Sequence, residues 1–244
     1  MKNYIVRIIT LTLAAWILGL LPLRADWPAW GGNPDHTFWT EGTIPSAMTL
    51  NWKRQLHSPD SAWPKSQGKL QFDDAHGIVI MGELVLVNSA VTDSLTAYNL
   101  TTGKKVWSFQ TNEPVRFSPV VHQDRVYLGS DDGYLYCLNL KTGKEYWRLR
   151  GGPDDRRILG NERLISMWPV RGAPVVKDNV VYYAAGIWPV MGVLIHAVDA
   201  GTGKQIWLNS SNGSPINLIW EHLSQSQCSR AALNSRSRIG LLLI

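Results

Sequence analysis

The pattern Thr-Gly-Lys-x-x-Trp occurs three times, at positions 102–107, 142–147 and 202–207. Each copy follows an apolar run of strand-like composition: Leu95 to Leu100, Leu135 to Leu140, and Ile195 to Val198. Glycine in the second position suits a tight turn, because it accepts the positive φ that other residues resist. Ahead of the second copy stands Asp132-Gly133, a hairpin signal. After it, Tyr134, Tyr136, Leu138 and Leu140 alternate with Leu135, Cys137 and Asn139, so the run is apolar on both faces. Such a strand has to be covered on both sides.

Each copy closes a larger unit of four short strands separated by turns. The first unit covers about 77–110, the second about 118–150 and the third about 173–210, with an insertion at 151–172. The closing tryptophans are therefore 40 and then 60 positions apart. The first unit has Val91-Thr92-Asp93 where the second has Asp-Gly, and the third inserts a longer segment from Gly186 to Gly192. A single four-stranded sheet covers neither of its own faces, and stacking sheet on sheet buries both. The expectation is an all-β chain: a β-propeller of four-stranded antiparallel blades, incomplete, with about three blades and an N-terminal segment.

Thr-Gly-Lys-x-x-Trp after an apolar strand, with Val126-Tyr127-Leu128-Gly129-Ser130-Asp131-Asp132-Gly133-Tyr134-Leu135-Tyr136 before it, resembles the quinoprotein-type (PQQ-like) propeller repeat. The stretches Asp26-Trp27-Pro28-Ala29-Trp30 and Arg156 to Arg171 resemble exported bacterial proteins of the same class. The resemblance covers about 26–222. It implies a fold more strongly than an activity.

The flanks read differently. Lys2 and Arg7, then an apolar run from Ile8 to Leu23 and a cleavage-like Leu23-Arg24-Ala25, make residues 1–25 a signal peptide; an uncleaved anchor is the rival reading. Either places the protein in the periplasm or cell envelope, or secretes it. Residues 26–76 form an N-terminal segment or partial blade, in which Leu50-Asn51-Trp52-Lys53 is expected to be a short strand. Residues 223–244 lack any strand and turn pattern and are expected to be an aberrant or disordered tail. A propeller ring closes with roughly four to eight blades. The expectation is therefore a truncated or frame-shifted form of a longer propeller, with a genuine short form as the alternative.

The sequence pI of 9.2 does not describe a basic surface. Three of the 24 Lys and Arg lie in the signal and three in the tail, which leaves 18 against all 19 acidic residues in the region between. Nothing there attracts nucleic acid by charge.

Several catalytic readings fail on spacing. Gly201-Thr202-Gly203-Lys204 is followed by Gln205, where a phosphate loop needs Ser or Thr, and its two sister copies make it a turn. Asp131-Asp132-Gly133 lacks the rest of a calcium loop. The six His are scattered, and there is neither a Cys-x-x-Cys pair nor a Gly-x-Ser-x-Gly elbow. Cys137 and Cys228 read as a buried small apolar residue and a tail thiol.

One candidate site remains, in the insertion. Arg157, Asn161, Arg163, Trp168 and Arg171 cluster in a loop that the blades do not need. Arginines there suit a carboxylate-bearing ligand through bidentate contacts, with Trp168 as a stacking platform. The plainer alternative is a solvated loop whose arginines pair with Asp154, Asp155 and Glu162.

The resemblance leaves three function classes open. The preferred one is an exported, non-catalytic binding or assembly scaffold. The second is a PQQ-dependent dehydrogenase, with PQQ and calcium as cofactors. The sequence establishes neither cofactor, and it lacks the adjacent Cys pair of several such groups and an assignable Asp base. The third is a non-functional truncated product. Expected partners are other envelope proteins or a small anionic ligand, with no nucleic acid, and with membrane contact only through the N-terminal signal or anchor.

Overall fold

A computed structural model describes residues 26–39, 48–58, 76–160, 163–187 and 192–210. The expected signal peptide, the tail, Cys228 and Asn161 lie outside the described residues. The chain divides into two units, Met1–Ala25 with Thr40–Met48, and Asp26–Trp39 with Thr49–Ile244. Every element below belongs to the second.

The described residues contain three four-stranded antiparallel sheets. The first has β1 (Ile78–Met81), β2 (Leu84–Ser89), β3 (Ser94–Asn99) and β4 (Lys105–Gln110) in sequence order. The second has β5 (Val120–His122), β6 (Arg125–Gly129), β7 (Tyr134–Asn139) and β8 (Glu145–Arg150). Between the second and third, β9 (Arg157–Gly160) and β10 (Arg163–Ser166) form a hairpin of their own. The third sheet has β11 (Val175–Lys177), β12 (Val180–Ala185), β13 (Leu194–Asp199) and β14 (Gln205–Asn209). Strand β5 touches both β1 and β11, so the first strands of the blades lie side by side at the inner edge.

Alternation along the strands distributes the core. Val126, Leu128, Tyr136 and Leu138 pack with Val79, Leu86, Leu95 and Trp107 of the first blade. Tyr127, Leu135 and Cys137, from the opposite face of the same strands, pack with Val176, Val181, Tyr183 and Val198 of the third. The double-sided apolar pattern thus makes two interfaces per blade.

The repeated hexapeptide joins one blade to the next. Asn99, Asn139 and Asp199 each accept the backbone N–H and the hydroxyl of the Thr three residues on, and fold the turn. The glycine that follows has φ of 66–71° in every copy. Trp107 lies against Gly143 of the next blade and donates its Nε1–H to Leu140 O at 2.9 Å. Trp147 repeats this with Gly203 and Gly201 O at 3.2 Å. In each case a Cβ on the glycine would sit within 3 Å of the ring, so only glycine fits.

The expected strand at 50–53 is absent from the structure. Trp52 nevertheless docks as its relatives do, over Gly103 with Nε1–H donated to Leu100 O at 2.8 Å. Farther upstream, Trp27 forms an isolated antiparallel bridge to Ile80, and Pro28 O accepts Val121 N–H, so the segment runs along the inner edge of two blades.

Candidate functional site at the connection end of the blades

Topology decides where a site can form. In an antiparallel sheet of four strands, the turn between the second and third lies at the end where the fourth strand finishes. The connection to the next blade therefore leaves beside that turn. Asp93 lies in such a turn of the first blade and Asp131–Gly133 in that of the second, while Glu113 and the insertion lie in connections.

The insertion is a hairpin rather than the expected loop, and its arginines reach other blades. Arg163 forms a two-point ion pair with Asp93 and also donates to Ala90 O at 3.3 Å. Arg157 Nη1 stands 3.1 Å from Glu113 Oε1. Arg171 grips Asp131 with two bonds of 2.8 Å, and Arg116 Nε approaches the same carboxylate at 2.7 Å. The Asp131 side chain is 1% exposed. Backbone bonds add to the clamp, from Ser166 N to Asp131 O and from Val170 N to Ser130 O. A Cβ on Gly133, whose φ is 88°, would sit 2.5 Å from Ser166 Oγ, so the hairpin closes directly over this turn.

The five residues singled out in the insertion therefore separate. Arg163 and Arg171 are engaged by Asp93 and Asp131, and Trp168 is only 3% exposed and sits in the core. The Arg156 guanidinium covers its ring at 5.0 Å from the centroid and also binds Asp154. Asn161 lies outside the described residues. Of the five, Arg157 is the one that lines an open cleft.

That space is a polar cleft of about 210 Å³. It is lined by Tyr134, Arg148 and Arg150 of the second blade, by Asp154, Asp155, Arg157 and Ser166 of the insertion, and by Asn112 and Asp132. Arg148 and Arg150 lie over the Tyr134 ring, 5.5 and 5.6 Å from its centroid. Asp132 is buried and accepts Tyr136 O–H at 2.5 Å, Tyr134 N–H and Asn112 N–H. Burial pushes its carboxyl upward despite these bonds, and burial also raises Glu113 against the pull of Arg163 and Arg157.

Arg148 and Arg150 escaped the reading of the sequence because they belong to a repeat. The available signal was alternation: in Glu-Tyr-Trp-Arg-Leu-Arg, exposed Tyr146, Arg148 and Arg150 interleave with the partly buried Trp147 and Leu149. A second cleft of similar size lies beside the first blade. There Arg54 covers the Tyr98 ring, and the ring nitrogens of His76 meet Asn88 O and His57 O.

Known proteins share this architecture. The family described as outer membrane protein assembly factor BamB matches residues 39–207. Among curated proteins, the alcohol dehydrogenase (quinone) dehydrogenase subunit of Gluconacetobacter polyoxogenes is 30% identical over 135 residues, covering 50% of this chain and 18% of that protein. Outer membrane protein assembly factor BamB of Burkholderia pseudomallei is 26% identical over 136 residues, covering 47% of this chain and 36% of the relative. The crystal structure of quinohemoprotein alcohol dehydrogenase from Comamonas testosteroni superposes with a TM-score of 0.54 at 20% identity, covering 77% of this chain and 27% of that one. The chain thus spans well under half the length of each. The likeness establishes the β-propeller fold.

Proposed function

The chain belongs to the family described as outer membrane protein assembly factor BamB, and from that premise we propose that it is an exported binding and assembly scaffold without catalysis of its own. One observation carries the reading. Leu159 and Leu164 face each other across the β9–β10 hairpin and are 78% and 53% exposed. The blades do not require this hairpin, yet ion pairs to Asp93, Glu113 and Asp131 hold it and the chain that follows. We read this exposed apolar pair, on a hairpin anchored by ion pairs, as a contact for another protein. The partner that suits it is an envelope protein presenting an apolar segment.

A photo-crosslinking residue placed at Leu159 in the native host tests this. A discrete adduct with an envelope protein is expected, and it should disappear when Leu164→Asp is added. An adduct that persists unchanged in Leu164→Asp rules out the leucine pair as the contact.

The name of the dehydrogenase relative favours a second reading, quinone-dependent oxidation of an alcohol, for which the sequence resemblance implies PQQ and calcium. Among the described residues no group of three or more His, Cys, Asp or Glu is placed to hold a metal ion. Adding PQQ and Ca²⁺ to the purified protein decides between the readings. A stoichiometric shifted chromophore and alcohol-dependent dye reduction would replace the scaffold with an enzyme.

A further inference from the structure

We infer that the cleft between β8 and the insertion is a carboxylate-binding site, in which Arg148 and Arg150 take the acidic group of a peptide side chain or of a small free dicarboxylate. The argument begins with the balance of charge. Arg116, Arg156, Arg157, Arg163 and Arg171 each have a carboxylate within 3.1 Å. The two arginines of β8 do not. Arg148 has only the loose contact with Glu145 at 3.8 Å, and no carboxylate of the described residues forms an ion pair with Arg150. Arg150 directs Nε and Nη2 to the Tyr134 hydroxyl at 3.2 and 3.0 Å, which fixes the plane of the guanidinium and leaves its other N–H donors available.

The surroundings select the ligand. Two guanidiniums lie over one aromatic ring, and each carries a planar fork of donors that matches a carboxylate. A volume of about 210 Å³ corresponds to roughly seven waters, room for a carboxylate and its first methylenes. Asp132, Asp154 and Asp155 border the same space. Asp132 is occupied by Tyr136 and two backbone N–H groups, and Asp154 by Arg156. Asp155 and Asp154 interact electrostatically with Arg150 without an ion-pair contact, so a singly charged group is accepted more readily than a doubly charged phosphate. The inference does not depend on the leucine pair, since Arg148 and Arg150 lie outside that hairpin.

Titration calorimetry of the whole protein at low salt, with N-acetyl-Glu-Glu-amide, its Gln-Gln counterpart and succinate, tests the inference. The Glu peptide should bind at least tenfold more tightly than the Gln peptide, and Arg148→Ala/Arg150→Ala should remove that preference. Lys141→Ala, outside the cleft, should retain it. Binding of succinate as well supports a free acid as the natural source, whereas binding of the Glu peptide alone supports a protein partner. Absence of binding by every probe, equal binding of both peptides, or full affinity in the double variant would each overturn the inference. An unchanged melting midpoint establishes that the double variant is folded, and leucine crosslinking in that variant reads the scaffold proposal separately.

Discussion

Replacing Asp131 with Ala tests whether the insertion is clamped or merely adjacent. The Asp131 carboxylate is 1% exposed and lies between Arg116 and Arg171, whose side chains are 5% and 17% exposed. Removing the acid leaves two largely buried guanidiniums without that carboxylate. Breaking a buried ion pair from one side costs about 3–5 kcal/mol, because the surviving charge is then less well compensated. With a urea m-value of about 2 kcal/mol per M, a loss of about 4 kcal/mol lowers the midpoint by about 2 M at constant m. Urea titration followed by tryptophan fluorescence reads that shift. Asp131→Asn keeps the shape and one acceptor, so it should lose about 1.5–3 kcal/mol, the share of hydrogen bonds to a charged group. The triple replacement Arg116→Met/Asp131→Leu/Arg171→Met should return to within about 1 kcal/mol of the parent, since an apolar substitute for a whole buried network is often neutral. A loss under about 1 kcal/mol in Asp131→Ala would mean that these arginines are solvated or engaged elsewhere. The structural role assigned to Arg171 would then fail.

Three further outcomes are open to measurement. Trp107→Ala should cost about 3–5 kcal/mol, because the ring is 8% exposed against Gly143, whereas the half-buried Trp207 should cost less than half of that; equal losses in urea melts would contradict the docking role. Gly82→Ala, at φ 55° with open space around the new methyl, should lose only the roughly 1–2 kcal/mol of a left-handed residue, while Gly143→Ala adds a contact at 2.5 Å with the Trp107 ring and should lose clearly more, as thermal midpoints will show. His196 stacks on Tyr183 at 4.5 Å and is held below its usual pKa of 6.5 chiefly by burial, so the unfolded chain binds the proton more readily. Its contribution to stability is full above about pH 6.5 and is lost as pH falls through the window below; His196→Phe should flatten that slope in pH-dependent melts, and an unchanged slope would assign it to other groups.

The blades were legible in the sequence because their signals are local. The Asn or Asp, Thr and Gly of each turn lie within five residues of one another, and alternation along one strand reveals that both faces are buried. Even the departure at Val91-Thr92-Asp93 follows the same geometry, since Asp93 adopts the positive φ, 49°, that a glycine takes in the second blade. The candidate site was legible only in part. Arg157, Arg163 and Arg171 find their acids 44, 70 and 40 positions upstream, across blade boundaries that no local pattern encodes. Residues near in sequence, Asp154, Asp155 and Glu162, were the natural candidates; Glu162 lies outside the described residues, and of the other two Asp154 forms an ion pair, with Arg156. Trp52 shows the converse: its surroundings are not a strand, yet the docking contact that its residue type suits is still made.

The position of the carboxylate cleft follows from the same constraints that build the blades. Both faces of each blade are taken up by neighbours, so variation without loss of core is confined to the ends and the outer strand. Strand β8 meets both conditions at its finish. Its alternate residues Trp147 and Leu149 pack toward the third blade, which turns Arg148 and Arg150 to the opposite face. The strand then runs out at the end where the connection leaves and where the turn bearing Asp132 and Gly133 stands. An insertion there necessarily faces those arginines, and its anchoring at Asp93, Glu113 and Asp131 consumes its own cations. The positive groups left for a ligand are therefore those of the repeat itself, on β8, rather than those of the segment that interrupts it.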